Sequence, residues 1–130
     1  MAKDRVTIQV DQGATLEFDF TPYDSDGTVM DLSGCAARMG VRPDYGLALT
    51  LAATTETGEI AIDAGAGVIF VRLSAEQTDR MRVAVRKAAY PNRADYLFDI
   101  DLTAPDGAVT RVLKGVFDVE ARINEAENES

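Results

Sequence analysis

Apolar and polar residues alternate along most of this chain with the period of two that is typical of half-buried β-strands. Val6, Ile8 and Val10 share one face of the first run, and Leu16, Phe18 and Phe20 share one face of the second. Similar runs cover residues 36–41, 47–51, 60–62 and 68–73. The pattern predicts about eight short strands separated by turns, which favours an all-β, antiparallel β-sandwich.

The strongest element lies in residues 94–120, where two alternating runs flank Asp106-Gly107, a dipeptide that favours hairpin turns. The same features occur 80 residues earlier, around Asp26-Gly27. The offset of 80 also relates Phe18 to Phe98, Asp19 to Asp99 and Val29 to Val109. The spacing predicts that one hairpin design is used twice.

One short helix is predicted after residue 73. Ser74 followed three residues later by Gln77 forms a capping box, which satisfies two otherwise unpaired amides at a helix start. We expect about two turns, reaching Met81. The length of 130 residues predicts a single domain, with residues 1–123 as the sandwich and residues 124–130 as a flexible acidic tail.

Composition argues against most catalytic chemistry. The chain contains no histidine and one cysteine, Cys35, so no Ser-His-Asp or Cys-His arrangement can form. We interpret Cys35 as a small buried hydrophobic residue; a nucleophilic thiol would need a base. We expect no enzyme activity and no cofactor. The start of the chain lacks the apolar core of a signal peptide, so we expect synthesis in a cytoplasm.

The charge is unevenly distributed. The net charge of -9 disfavours nucleic acid and anionic membranes as partners. Residues 80–93 nevertheless carry five cations and no acid. We predict these cations as an interface: Arg80, Arg82, Arg86, Lys87 and Arg93. The alternative is a solvated helix end and loop. An acidic partner surface, such as the tail of a neighbouring copy, would favour head-to-tail rings.

The sequence also contains residues that could form a calcium site or a carbohydrate-binding face. Asp24, Asp26 and Asp31 place acidic oxygens around a glycine turn, as calcium sites do, but the spacing fits an ordinary hairpin tip better. A carbohydrate-binding face would need exposed aromatic rings, and the chain has no tryptophan. The tyrosines that could stack on a sugar are Tyr23, Tyr45, Tyr90 and Tyr96.

The order of motifs resembles that of a known family. The motifs are Phe18-x-Phe20, the Asp26-Gly27 turn, Asp31-Leu32-Ser33-Gly34, Gly58-Glu59-Ile60, residues 73–78, residues 96–102, Asp106-Gly107 and residues 112–119. Together they resemble small virion proteins of tailed bacteriophages, including the immunoglobulin-like N-terminal domains of baseplate upper proteins.

This resemblance implies an immunoglobulin-like β-sandwich with one short helix. It implies a structural adaptor of a virion (tail, baseplate, neck or fibre attachment) that binds other virion proteins, forms a homo-oligomer and is made in a bacterial host. A phage-derived gene-transfer particle fits equally well. The alternative function is a carbohydrate-binding or adhesion module that recognises a cell surface.

Overall fold

Eight strands and one short helix make up the part of the chain that the structure describes, residues 5–84 and 92–123 of a computed structural model. They are β1 (Arg5–Asp11), β2 (Leu16–Phe20), β3 (Ala36–Arg42), β4 (Leu51–Thr54), β5 (Ile60–Asp63), β6 (Val68–Leu73), α1 (Ala75–Asp79), β7 (Arg93–Thr103) and β8 (Val109–Glu120). Within these residues, no helix has the length and apolar character needed to cross a membrane.

The strands form two sheets. A five-stranded sheet has the order β1-β8-β7-β3-β4, and a three-stranded sheet has the order β2-β6-β5. In the letter code of immunoglobulin-like domains, β2 to β8 correspond to strands B, C, C′, D, E, F and G. The smaller sheet is then B-E-D, and the larger sheet is G-F-C-C′ with β1 added beside G, which is the arrangement of immunoglobulin-like sandwiches. The predicted antiparallel β-sandwich is confirmed, with one correction: β1 pairs with β8 in parallel.

Aromatic packing joins the two sheets at their centre. The rings of Phe98 and Phe117, on β7 and β8, stack with centroids 4.2 Å apart. Phe18, on β2 in the other sheet, meets both rings at 6.3 Å. In antibody domains a disulfide joins strands B and F. Here Phe18 and Phe98 come from those two strands, so ring contacts connect the sheets where a disulfide would.

Tyr96 on β7 is hydrogen-bonded to the segment that directly follows α1. Its ring is buried, and its hydroxyl donates a hydrogen bond of 2.7 Å to the carbonyl of Arg82. This position, near the start of strand F and two residues before Phe98, is that of the tyrosine corner of immunoglobulin-like domains. Burial raises the pKa of the Tyr96 phenol.

The capping box predicted at the start of α1 is confirmed. The Gln77 amide donates to Ser74 Oγ at 3.1 Å, and the Ser74 amide donates to Gln77 Oε1 at 2.8 Å. The helix is shorter than expected and ends at Asp79. The reason is that the amides of Arg80 and Met81 donate to carbonyls three residues back, which tightens the last turn.

The two Asp-Gly turns have the same geometry. Asp26 and Asp106 each accept a hydrogen bond from the amide two residues later, at 3.0 and 2.9 Å. Gly27 and Gly107 adopt φ values of 89° and 92°, a region that other residues avoid. The offset of 80 in the sequence therefore marks a repeated turn.

Only one of these turns closes a hairpin of two long strands. The hairpin around Asp106-Gly107 is confirmed, because β7 and β8 pair from end to end. The hairpin predicted around Asp26-Gly27 is wrong: β2 pairs with β6, and the turn is flanked by a single bridge between Tyr23 and Val29. Here the chain leaves the three-stranded sheet for the five-stranded one, and Pro22 offers no amide for a longer ladder.

Gly115 is required by the close approach of β1 to β8. A Cβ atom at this position would lie 2.2 Å from the Val6 carbonyl oxygen and 3.0 Å from Cε1 of Phe98. The first distance is to backbone, which no rotamer change can relieve. Any side chain at position 115 must therefore displace β1.

We expect Gly115→Ala to destabilise the protein by about 1–3 kcal/mol, because the added methyl overpacks the contact between β1 and β8. Urea unfolding monitored by circular dichroism measures the effect. Gly65→Ala is the matched control, since its Cβ would make an ordinary contact of 3.6 Å with Asp63. Equal stability of the two variants would contradict the proposed role of Gly115.

We expect Tyr96→Phe to cost about 1–2 kcal/mol, because the buried side chain of Tyr96 loses its hydrogen bond to the carbonyl of Arg82. Thermal unfolding of Tyr45→Phe provides the comparison, since that hydroxyl is exposed. The interpretation fails if both variants unfold at the same temperature.

Candidate functional site

The structure describes three of the five cations predicted as an interface. Arg93 Nε lies 2.8 Å from Asp118 and its Nη1 lies 3.1 Å from Glu120, and the hydrogen bond to Asp118 raises the pKa of Arg93. Arg82 Nη1 lies 3.4 Å from Asp79. Arg80 is exposed at the end of α1. Arg86 and Lys87 lie outside the described residues, as does Tyr90.

Other cations converge on the outer face of the five-stranded sheet. Arg5 lies on β1, Arg42 on β3 and Lys114 on β8. Within residues 5–84 and 92–123, none of the three has a carboxylate oxygen within 4.0 Å of its side-chain nitrogens. In a chain with 22 acids and 13 cations, these charges remain available to an anion from outside.

The three cations line a cavity of about 200 Å³ on this face. Its floor is the middle of the sheet, and its wall is the loop of residues 43–50. The lining consists of Arg5, Gly40, Arg42, Tyr45, Leu49, Leu97, Phe98, Asp99, Arg111, Lys114 and Gly115. Four of these residues are cations and one is an acid, so the cavity is cationic on an acidic protein.

A hydrogen bond spans the cavity. Arg5 Nη2 donates to the Tyr45 hydroxyl at 2.9 Å. Arg5 lies on β1, Tyr45 belongs to the loop that follows β3, and β8 and β7 lie between these strands. Three strand spacings amount to roughly 14 Å, so the two long side chains meet above the sheet. We call this contact the Arg5–Tyr45 bridge.

The loop of residues 43–50 is held over the sheet face by local contacts. Arg42 Nη1 donates to the Leu47 carbonyl. Leu49 packs above Gly40, where a Cβ atom would lie 3.1 Å from Leu49 Cδ2. The strand predicted over residues 47–51 is wrong in its position, because β4 spans Leu51–Thr54. Leu47 and Leu49 are exposed instead, and Leu49 lines the cavity.

The neighbouring acids on this face already have partners. Arg111 Nε lies 3.0 Å from Asp101 and 3.4 Å from Asp99, and these carboxylates raise the pKa of Arg111. Asp99 is the acid next to Lys114 in the register of β7 and β8. Asp99 is engaged with Arg111, and Lys114 makes no direct ion pair with any carboxylate of the described residues.

The remaining candidate sites have structural roles. Hydrogen bonds from Thr28 lower the pKa of Asp26, and the Ser33 amide lowers the pKa of Asp31. Among residues 5–84 and 92–123, no group of three or more His, Cys, Asp or Glu side chains is arranged to hold a metal ion. Burial raises the pKa of the half-buried Cys35 thiol, which opposes thiolate formation.

Sequence reasoning missed the cavity because its cations come from distant segments. Positions 5, 42 and 114 each stand alone in the sequence, whereas residues 80–93 form a visible run. The cluster of cations can be recognised only when the strand register is known, because that register makes Arg5 the partner of Lys114. The register thus brings two positive charges side by side at the cavity, with Asp99 next to Lys114 on β7.

Comparisons with known proteins add little. No protein-family description and no curated protein matches the chain. Among solved structures, murine CRIg is similar over 90% of this chain and 92% of that chain, with 9% sequence identity and a TM-score of 0.38. The fold assignment rests on the strand order of the two sheets.

We expect Arg93→Gln to lower the denaturation midpoint, because two charge-assisted hydrogen bonds to β8 are lost. Arg80→Gln, which changes an exposed cation of the same predicted interface, should stay within about 0.5 kcal/mol of the parent protein. Chemical denaturation of both variants gives the comparison. An unchanged midpoint for Arg93→Gln would show that its ion pairs contribute nothing to the fold.

Proposed function

We propose that this protein is a structural adaptor of a phage-type virion that acts by protein–protein assembly. The assembly role is supported by the charge and the exposed side chains on the outer face of the five-stranded sheet. There, three cations that lack carboxylate partners within residues 5–84 and 92–123 line a cavity beside exposed apolar side chains, on a protein whose net charge is -9.

The composition of this face suits a protein partner. Arginine and aromatic residues are enriched in protein interfaces, and Tyr45, with 72% of its surface exposed, stands beside Arg5 and Arg42. Leu47 and Leu49 extend the apolar surface along the same loop. Partner binding would bury these side chains and neutralise the cations.

The virion part of the proposal rests on the resemblance of the sequence motifs. It supports a location in the tail, baseplate, neck or fibre attachment of a phage, or in a phage-derived gene-transfer particle. A sandwich with open strand edges and a charged face would act as a connector between other virion proteins. We further propose a homo-oligomer, with no nucleic acid, membrane or cofactor involved and no catalytic step.

The exposure of Tyr45 beside a cationic cavity supports one rival, a carbohydrate-binding or adhesion module. An acidic sugar could contact the cations while the ring of Tyr45 packs against its apolar face. This rival differs in its partner, a glycan at a cell surface, and uses the same face of the sheet.

The test begins with particles produced from the genome that encodes this chain. We expect quantitative mass spectrometry of density-banded particles to find several copies of the protein per particle, and immunogold labelling to place them at one structural position. Presence in the lysate combined with absence from banded particles would overturn the proposal. A glycan array run with the parent protein and Tyr45→Ala would support the rival if only the parent protein bound.

A further inference from the structure

The cations of the cavity lie on neighbouring rows of one sheet face. Arg5 and Lys114 are register partners, and Lys114 is paired in turn with Asp99 on β7. Arg42 pairs with Leu97, which precedes Asp99 by two positions on β7, so Arg42 belongs to the next row on the same face. Same-face rows of a sheet are roughly 6.7 Å apart, so an extended anionic segment with matching spacing could contact both rows.

The chain itself contains such a segment. Glu125, Glu127 and Glu129 occupy alternate positions, with no cation between them. In an extended conformation alternate residues face the same side, about 6.7 Å apart. Lys114 and Arg42 lie one row and two strands apart, with backbones separated by roughly 12 Å. This is close to the separation of roughly 13 Å between Glu125 and Glu129 in an extended segment.

We propose that the cavity beneath the Arg5–Tyr45 bridge receives the acidic segment 125–129 of a second copy of this protein. The inference rests on the proposed assembly function and names the docking site and its occupant. Each copy has one acidic segment and one cavity, so the contact is head-to-tail and builds rings or chains. The exposed loop residues Tyr45 and Leu49 would pack against the apolar parts of the docked segment.

Chain length alone permits docking on either copy. Lys114 and Glu120 lie on β8, six residues and roughly 20 Å apart, and the seven residues from Glu120 to Glu127 can span about 25 Å. The row of Arg42 lies nearer still, because its partner Leu97 pairs with Val116 on β8. The choice of a second copy therefore rests on the proposed assembly function, and the mixing experiment below tests it.

The first experiment measures docking directly. The receptor is the full chain with Glu125→Gln, Glu127→Gln and Glu129→Gln, so that its own segment is neutral. The probe is a fluorescent peptide with the sequence of residues 123–130, and anisotropy is followed at low salt. We expect saturable binding that weakens as salt rises, and no binding of a peptide whose three glutamates are glutamines.

Two further substitutions in this receptor locate the site. Lys114→Gln should weaken peptide binding about two- to fivefold, and the matched control Arg80→Gln should leave it unchanged. Melting curves confirm that both variants are folded. Equal affinities for the two variants, or the absence of binding at low salt, would overturn the proposal. A loss with Arg80→Gln alone would instead assign docking to the segment of residues 80–93.

The second experiment separates docking between copies from docking within one copy. One variant has the neutral acidic segment, and the other combines Arg5→Gln with Lys114→Gln. Each should be monomeric by light scattering, while their mixture should form a 1:1 dimer, because only one functional pair of sites remains. A mixture that stays monomeric would overturn docking between copies.

The outcomes also separate this inference from the proposed function. If the protein is found in banded particles but does not bind the peptide, the docking site is refuted and the virion role is unaffected. Peptide binding by a protein absent from the particles would leave the docking site and remove the virion role.

Discussion

The contact of three phenylalanine rings between the sheets is the interaction on which the rest of this structure depends. The chain has one cysteine and therefore cannot join the sheets by an internal disulfide. Phe18 reaches across from the smaller sheet to the stacked rings of Phe98 and Phe117. Aromatic pairs of this kind add stability beyond their buried area. Gly115 lies against the ring of Phe98 and leaves room for the backbone of β1, so the packing between sheets and the pairing of the parallel strand depend on the same region.

The cations on the outer face of the five-stranded sheet fall into two groups: those that form ion pairs, and those that lack a carboxylate partner among the described residues. At one end, Arg93 binds the two acids that face it on β8, and near the other end Arg111 binds Asp99 and Asp101. These pairs neutralise most of the acids on the face. Between them, Arg5 and Lys114 have no carboxylate oxygen within 4.0 Å among the described residues, in spite of the acidic composition.

Local patterns predicted the local structure of this protein well. The capping box at Ser74 and the turn at Asp106 depend on residues close together in sequence, so both could be recognised there. The turn at Asp26 was also recognised, but its pairing was not, because the partner of β2 is β6, some 50 residues later. The cavity could not be predicted for the same reason: Arg5, Arg42 and Lys114 become neighbours only through the order of the sheet.

The parallel pairing of β1 with β8 has a consequence for the order in which the molecule is completed. Residues 5–11 contact residues 114–120, so this pairing closes a loop that contains nearly the whole chain. Contacts of such long sequence separation carry the largest loss of chain entropy and form late in folding. Arg5 reaches the cavity only through this strand. We therefore expect the cationic site to be completed late in folding, and under the proposed docking a copy whose ends have not met would offer its neighbours no complete docking surface.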